Sequence, residues 1–147
     1  MQMNPAAGPA LLLMAVLCAS CAVSRRPPMG LIDGRLAPCP QTPNCVSSEA
    51  APGPAELAPL SFTGAPEAAW AALQRTVIAL GGKIERDEQY FLWAVFRSRI
   101  WRFADDVEFR MDAERRWIHV RSASRRGYSD FGVNRRRVEA LRQRFME

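Results

Sequence analysis

The chain has 147 residues, with 20 basic and 15 acidic side chains and a formal net charge of +5. This length and an ordinary apolar share indicate one globular domain, and the sequence has no internal repeat or coiled-coil pattern. The basic excess favours acidic partners, such as nucleic acid, anionic lipid head groups or polyanionic envelope polymers.

An uncharged apolar run at residues 10–23 precedes the domain. It is short for a membrane span, which needs about 20 residues, and it suits the apolar region of a signal peptide. Cys21 follows two small residues, as a lipidated cysteine does, although Leu17 stands one position too early and no basic residue precedes the run. The sequence therefore predicts a lipoprotein anchor over residues 1–23, attached at Cys21. A cleaved soluble signal and an uncleaved anchor are the alternatives.

Residues 24–35 are aperiodic and contain proline, glycine and arginine, which predicts a tether before a domain at residues 36–147. Cys39 and Cys45 enclose a five-residue spacer with two prolines, which bend the chain so that the sulfurs can meet. We predict a structural disulfide, which suits an oxidising compartment. A thiol redox pair or a metal site is the alternative, but His119 is the only histidine.

The first predicted helix spans residues 66–80. Pro66 suits the first helical position, because its missing N–H has no helical partner there, and two glycines follow the helix. Apolar residues recur at intervals of three and four and predict the core-facing side: Trp70, Leu73, Val77 and Leu80.

Alternating and β-branched residues predict strands, and residues 36–59 read as the cysteine loop followed by an irregular segment. The predicted strands are residues 60–62, 83–88, 90–98, 106–111 and 117–122, with turns near residues 87–88 and at residues 112–115. Neighbouring strands with short turns form antiparallel pairs. The predicted fold is α+β: a small antiparallel sheet of three to five strands with two helices packed on one face.

The stretch from residue 118 to residue 137 holds most of the groups suited to specific contacts. It reads as the last strand, a polar loop and the start of a basic helix, with Ser129 or Asp130 as the helix N-cap. In the strand, Ile118 and Val120 are expected on one face, opposite His119. The predicted apolar face of the helix consists of Phe131, Asn134, Val138, Leu141 and Phe145.

This stretch predicts an anion site. A helix N-terminus offers unpaired N–H groups, and arginine favours bidentate contacts with carboxylate or phosphate. The candidate residues are Arg121, Ser124, Arg125, Ser129, Asp130, Asn134 and Arg135. In the alternative interpretation, Asp130 caps the helix and pairs with an arginine, and the other arginines are solvated.

A second candidate patch consists of Asp105, Asp106, Glu108 and His119. In a strand, Asp106 and Glu108 share a face, where carboxylates can act in acid–base chemistry or hold a divalent cation. The alternative is that these carboxylates cap a loop or pair across the sheet with Arg121 or Arg110. No nucleophile motif or second ligand cluster accompanies them, so we predict no metal and no cofactor.

Four segments carry a resemblance to a known family. They are RSASRRGYSDFGVNRRRVEALR, LAPCPQTPNCVSS at residues 36–48, FADDVEF at residues 103–109 and the aromatic segment at residues 90–98. Together they resemble the bacterial and plastid family called domain of unknown function 1499, over about residues 36–145. The resemblance implies no activity, cofactor or catalytic residue.

The sequence thus predicts a lipoprotein of the cell envelope that faces the periplasm. It would be a non-catalytic binding or scaffold module that contacts an anionic lipid, polymer or protein through its basic patch. The alternative is a hydrolase or redox enzyme that uses His119, Asp106 or the pair Cys39 and Cys45. Nucleic acid is a less favoured partner, because export would separate the domain from it and no aromatic–basic stacking motif is present.

Overall fold

The computed structural model describes residues 30–98 and 103–146. The elements are β1 (Cys45–Ser47), β2 (Leu60–Ser61), α1 (Pro66–Ala79), β3 (Lys83–Glu88), β4 (Phe91–Arg97), β5 (Ala104–Asp112), β6 (Trp117–Ser124) and α2 (Val133–Phe145). The predicted anchor, with Cys21, and the tether up to residue 29 lie outside the described residues. Within the described part of the chain, no helix is long and apolar enough to cross a membrane.

The strands form one antiparallel sheet in the order β1-β6-β5-β4-β3, and β2 pairs with β6 beside β1. The α+β class is therefore confirmed, but the sheet has six strands and not three to five. The extra strand is β1, which lies within residues 36–48, the segment predicted as the cysteine loop. Three residues are too few to show an alternating pattern, and β1 exists because it pairs with β6 from Cys45↔Ala123 to Ser47↔Arg121.

One face of the sheet forms the hydrophobic core with both helices. Leu73 and Val77 of α1 and Val138 and Leu141 of α2 are buried in the same cluster as alternate residues of the three central strands. The strand residues in that cluster are Leu92, Ala94, Phe96, Val107, Phe109, Met111, Ile118 and Val120. The predicted inward direction of Ile118 and Val120 is confirmed.

The opposite face of the sheet is polar and mostly buried. Asp106, Glu108 and Arg110 alternate along β5 and stand across from Ala123, Arg121 and His119 of β6. Part of the segment before β1 is bonded to this face, because the Gly30 N–H donates to Glu108 Oε1 at 3.2 Å. The Leu36 N–H donates to Glu49 Oε2 at 2.6 Å, and Leu36 is buried.

Three local predictions were wrong in detail. Leu80 is the C-cap of α1 and is 39% exposed, because the helix ends at Ala79, one residue before the expected end. The β3–β4 turn lies at residues 89–90, not 87–88, since Glu88 pairs with Phe91. Phe131 is 88% exposed and lies before α2, so it is not on the apolar face of that helix.

Gly82 is a position where the fold requires the absence of a side chain. A Cβ there would lie 2.6 Å from Phe96 Cζ and 2.7 Å from Val77 Cγ1, both in the core. We predict that Gly82→Ala lowers the free energy of unfolding by about 1–3 kcal/mol through overpacking. Urea denaturation measures this, and Lys83→Ala, at the exposed neighbouring residue, is the control with little expected effect. An unchanged midpoint for Gly82→Ala would contradict the close packing.

Candidate functional site

The β6–α2 loop, residues 125–132, leads into α2 through a carboxylate cap. Asp130 Oδ1 accepts the Gly132 N–H and Oδ2 accepts the Asn134 N–H, each at 2.9 Å. Burial alone would raise the pKa of Asp130, but hydrogen bonds from the Asn134 and Gly132 backbone hold it below its ordinary value. The N-cap residue of α2 is Gly132, so the predicted N-cap at Ser129 or Asp130 was placed too early along the chain. The Asp130 carboxylate nevertheless occupies N–H groups that an external anion would need.

Asn134 is fully buried and joins this loop to two other segments. Its Nδ2 group donates to Asp130 Oδ2 at 2.7 Å, to Ser124 Oγ at 2.9 Å and to the Asn44 carbonyl at 3.1 Å. Its Oδ1 accepts a hydrogen bond from Ser122 Oγ at 2.6 Å. Ser124 and Asn134 therefore serve internal contacts.

The cysteine loop contacts the β6–α2 loop through Asn44. Asn44 Nδ2 donates to the Gly127 carbonyl at 2.6 Å, and the Ser124 N–H donates to the Asn44 carbonyl at 2.9 Å. Next to Asn44, Cys45 is bonded to Cys39, with a Cα–Cα distance of 5.6 Å, so the predicted disulfide is confirmed. The loop closed by the disulfide therefore contacts the β6–α2 loop, which belongs to the stretch predicted to make specific contacts.

The carboxylates of β5 are paired with arginines. Arg125 makes two hydrogen bonds to Asp106, from Nε at 2.9 Å and from Nη2 at 2.7 Å, and Trp93 Nε1 donates to the same carboxylate at 2.9 Å. On the other face, Arg137 of α2 donates to Asp105 Oδ2 at 2.5 Å. Bidentate arginine–carboxylate pairs are strong and directional, so Asp106 is fixed by Arg125, while Asp105 is held by a single charge-assisted hydrogen bond.

Glu108 and Arg121 form the most buried ion pair among the described residues. Arg121 Nη1 donates to Glu108 Oε2 at 3.0 Å, and the two side chains are 0–1% exposed. Burial raises the pKa of Glu108, while the charge of Arg121 and the Gly30 N–H oppose that rise. A buried pair of this kind costs desolvation energy, and removing only one partner leaves an uncompensated charge. The cross-sheet alternative predicted for Glu108 is the arrangement present.

His119 lies beside Ser48 and Glu49 and not beside the aspartates. Its Nδ1 is 3.2 Å from Ser48 Oγ and 3.9 Å from Glu49 Oε1, and Arg110 donates to Glu49. Burial lowers the pKa of His119, and the positive charge of Arg110 lowers it further. Ser48 and Glu49 are positioned by β1 and were missed by the sequence analysis, because β1 itself was not predicted.

The structure does not bring the three central arginines of the predicted anion site together. Arg121 faces Glu108 on the sheet, Arg125 holds Asp106, and Arg135 donates to the Pro54 and Glu56 carbonyls at 2.7 and 2.9 Å. The remaining member, Ser129, accepts the Phe131 N–H at 3.2 Å. Any anion bound there would compete with these contacts, so the site stays a prediction.

The described residues contain no group of three or more His, Cys, Asp or Glu side chains that could hold a metal ion.

The sequence analysis did not predict the exposed surface at the β6–α2 loop. Tyr128 and Phe131 of the loop and Arg136 near the start of α2 form this surface. The spacing of Phe131 from Asn134 and Val138 matched a helical face, which concealed its exposure. A weak signal was available, since the following Gly132 favours a backbone break.

A protein-family model described as "Protein of unknown function (DUF1499)" matches residues 35–145. The matched range contains the disulfide, the whole sheet and both helices. Searches of curated proteins and of solved structures found no match.

We predict that Asn134→Ala lowers the free energy of unfolding by about 3 kcal/mol, because it leaves several buried polar groups without partners. Thermal and urea denaturation measure the loss. Gln143→Ala, at an exposed position of the same helix, is the matched control and should change stability little. Equal stability of the two variants would show that the buried amide is dispensable.

Because the Asp130 carboxylate accepts N–H groups at the start of α2, we predict that the stability of the fold depends on pH. The pKa of Asp130 is lower in the folded chain than its ordinary value of 3.8, so its stabilising effect is present above pH 3.8. That contribution is lost as the pH falls through the folded-state pKa. We expect the stability difference between the wild type and Asp130→Ala to shrink in acid, as measured by urea denaturation across pH. A difference that stays constant down to the acid limit would contradict the charged cap.

Proposed function

Because the chain belongs to the DUF1499 family, whose description assigns no function, we propose one from the site itself. The protein is a non-catalytic binding or scaffold module of the cell envelope, anchored as a lipoprotein at Cys21 and facing the periplasm. Its basic surface beside α2 contacts an anionic envelope component. The observation that carries the non-catalytic part is that each candidate carboxylate of β5 is paired with its own arginine.

Those pairs leave little capacity for acid–base chemistry. A general base needs an available lone pair near the substrate, and a metal site needs several convergent ligands. Asp105 and Asp106 instead each hold an arginine, and Glu108 is buried against Arg121. The pair between Arg125 and Asp106 fixes the start of the β6–α2 loop to the sheet, and a rigid recognition surface requires a loop that is fixed in this way.

The basic surface consists of arginines whose charge is not neutralised internally. Arg135 and Arg136 donate to backbone carbonyls, and Arg126 is exposed. Within the described residues, no carboxylate forms an ion pair with any of the three. Their charges therefore remain available to an anionic partner, which supports binding at this surface.

The envelope location rests on two features of the chain. The apolar run at residues 10–23 ends in the lipobox-like cysteine, Cys21. In the domain, the disulfide between Cys39 and Cys45 suits an oxidising compartment. Both features would be unusual in a cytoplasmic protein, and together they support export.

The enzyme alternative receives less support. Ser48, His119 and Glu49 are close together, but Ser48 Oγ and Glu49 Oε1 both approach the same ring nitrogen, Nδ1. In a serine triad, the nucleophile and the acid contact opposite nitrogens of the imidazole.

The intact mass of the mature protein from fractionated native cells tests the proposal. We expect a mass that begins at Cys21 with an attached diacylglyceryl group, in the membrane fraction. Cys39 and Cys45 should resist alkylation until the protein is reduced. An unprocessed chain with all thiols alkylated, recovered from the cytoplasm, would overturn the envelope assignment.

The variant His119→Gln separates a binder from an enzyme. A binding module should still recover its anionic partner after His119→Gln, because the neighbours of the His119 ring are Ser48 and Glu49 and not the arginines of the basic surface. Any hydrolytic or redox turnover found with the wild-type protein and abolished by His119→Gln would overturn the non-catalytic assignment.

A further inference from the structure

The tip of the β6–α2 loop exposes large side chains that the fold does not use. Tyr128 is 74% exposed and Phe131 is 88% exposed. Neither belongs to the hydrophobic core cluster, which buries four other aromatic side chains: Phe62, Trp70, Phe96 and Phe109. Single exposed apolar residues are common, but two aromatic rings within four residues of one turn form a patch.

The backbone holds Phe131 in an outward position. Its φ is 52°, in the left-handed region, which is uncommon for a bulky residue and favours asparagine or glycine. The Phe131 N–H donates to Ser129 Oγ at 3.2 Å, and its carbonyl accepts Arg136 Nη1 at 3.0 Å. The ring is therefore presented by a fixed turn, at a conformational cost that the folded chain does not recover through packing.

Further apolar surface adjoins this tip. Val133, the first residue of α2, is 40% exposed. Phe103 is 58% exposed, and the next residue, Ala104, accepts the Arg125 N–H at 3.1 Å, which brings the start of β5 beside the loop. The tip therefore combines a small apolar surface with two protruding aromatic rings.

Positive charge surrounds the apolar tip. Arg126 is exposed between β6 and Tyr128, and Arg136 is bonded to the Phe131 carbonyl. The nearby acidic residue of the loop, Asp130, is directed at the N–H groups of Gly132 and Asn134. The outer surface of the tip is thus aromatic and cationic, and its acidic group is turned inward.

We propose that this tip docks on the surface of an anionic phospholipid bilayer. Tyr128 and Phe131 enter the interfacial region, where aromatic rings are favoured, and Arg126 and Arg136 contact the phosphate groups. The proposal rests on the envelope function proposed above and names its partner. A protruding convex tip fits a fluid lipid surface, whereas a folded partner would need a matching cavity.

The proposed anchor would keep the tip within reach of the bilayer. Gly30 is bonded to Glu108 on the sheet face that also holds Arg125, and eight residues lie between Gly30 and Cys21. The nine residue-to-residue steps from Cys21 to Gly30 span at most about 30 Å. A lipid at Cys21 would therefore hold the domain close enough for the loop to touch the same leaflet, and two weak attachments together bind more firmly than one.

The test uses the full chain reconstituted into vesicles of phosphatidylcholine, with or without phosphatidylglycerol. Flotation first reports whether the chain associates with each kind of vesicle, which tests the anchor. Hydrogen exchange of residues 125–133, followed by mass spectrometry, then reports contact of the loop. We expect exchange to slow roughly tenfold on the phosphatidylglycerol vesicles and to recover in high salt.

The variant Phe131→Asn separates docking from folding. Asparagine tolerates the left-handed backbone, so stability should stay the same or rise, whereas the protection of the loop should be lost. Arg126→Gln and Arg136→Gln should each weaken docking about fivefold. The matched control is Ile78→Asn with Arg75→Gln on the exposed side of α1, which should leave the protection unchanged.

Each outcome decides the inference. Loop protection that requires phosphatidylglycerol and Phe131 supports it. Flotation without loop protection overturns it and leaves the anchor standing, and equal protection on both kinds of vesicle overturns the role of the anionic lipid. Protection that appears only in native envelope membranes, and not on pure lipid, overturns it in favour of a protein partner. Failure to float on either kind of vesicle overturns both the docking of the loop and the anchor.

Discussion

The side-chain amide of Asn134 is the contact on which the loop region depends. It bonds Ser124 of β6 and the carboxylate of Asp130, which are close in sequence, and the backbone of Asn44, which is 90 residues away along the chain. An amide supplies both donors and an acceptor, so one buried group can satisfy several others. Buried polar networks of this kind are costly when incomplete and rigid when complete. Asn134 thereby fixes α2, the cysteine loop and the β6–α2 loop relative to one another.

The arginine-rich composition has two separate uses in the fold. On β5, alternate faces of the strand each present carboxylates, and arginines from β6, the β6–α2 loop and α2 neutralise them: Arg121, Arg125 and Arg137. The planar guanidinium suits this task, because it makes paired hydrogen bonds to a carboxylate. The second use is at the surface, where Arg126, Arg135 and Arg136 keep their charge. The number of arginines in the sequence is therefore larger than the number available to a ligand, because several of them are paired with carboxylates inside the fold.

The rigidity of the loop and its exposed aromatic rings belong to one arrangement. Asp130 and Arg136 fix the backbone on both sides of Phe131, so the ring is presented outward without support from the core. A surface prepared in this way loses little conformational entropy on binding. The ion pairs of β5 contribute to the same end, because Arg125 ties the start of the loop to Asp106. The β6–α2 loop thus contains both the contacts that fix its backbone and the aromatic side chains that we propose bind the bilayer.

The elements whose signals are local could be predicted from the sequence: α1, the long strands β4 to β6, the disulfide and a role for Asp130 at the start of α2. Periodicity, proline and glycine positions and short spacers encode these, because the interacting groups are close along the chain. The folded structure was needed to show that β1 joins the sheet, that Phe131 faces outward and that each arginine of the predicted site has its own partner. Those outcomes depend on contacts between residues far apart in sequence, which no local pattern records.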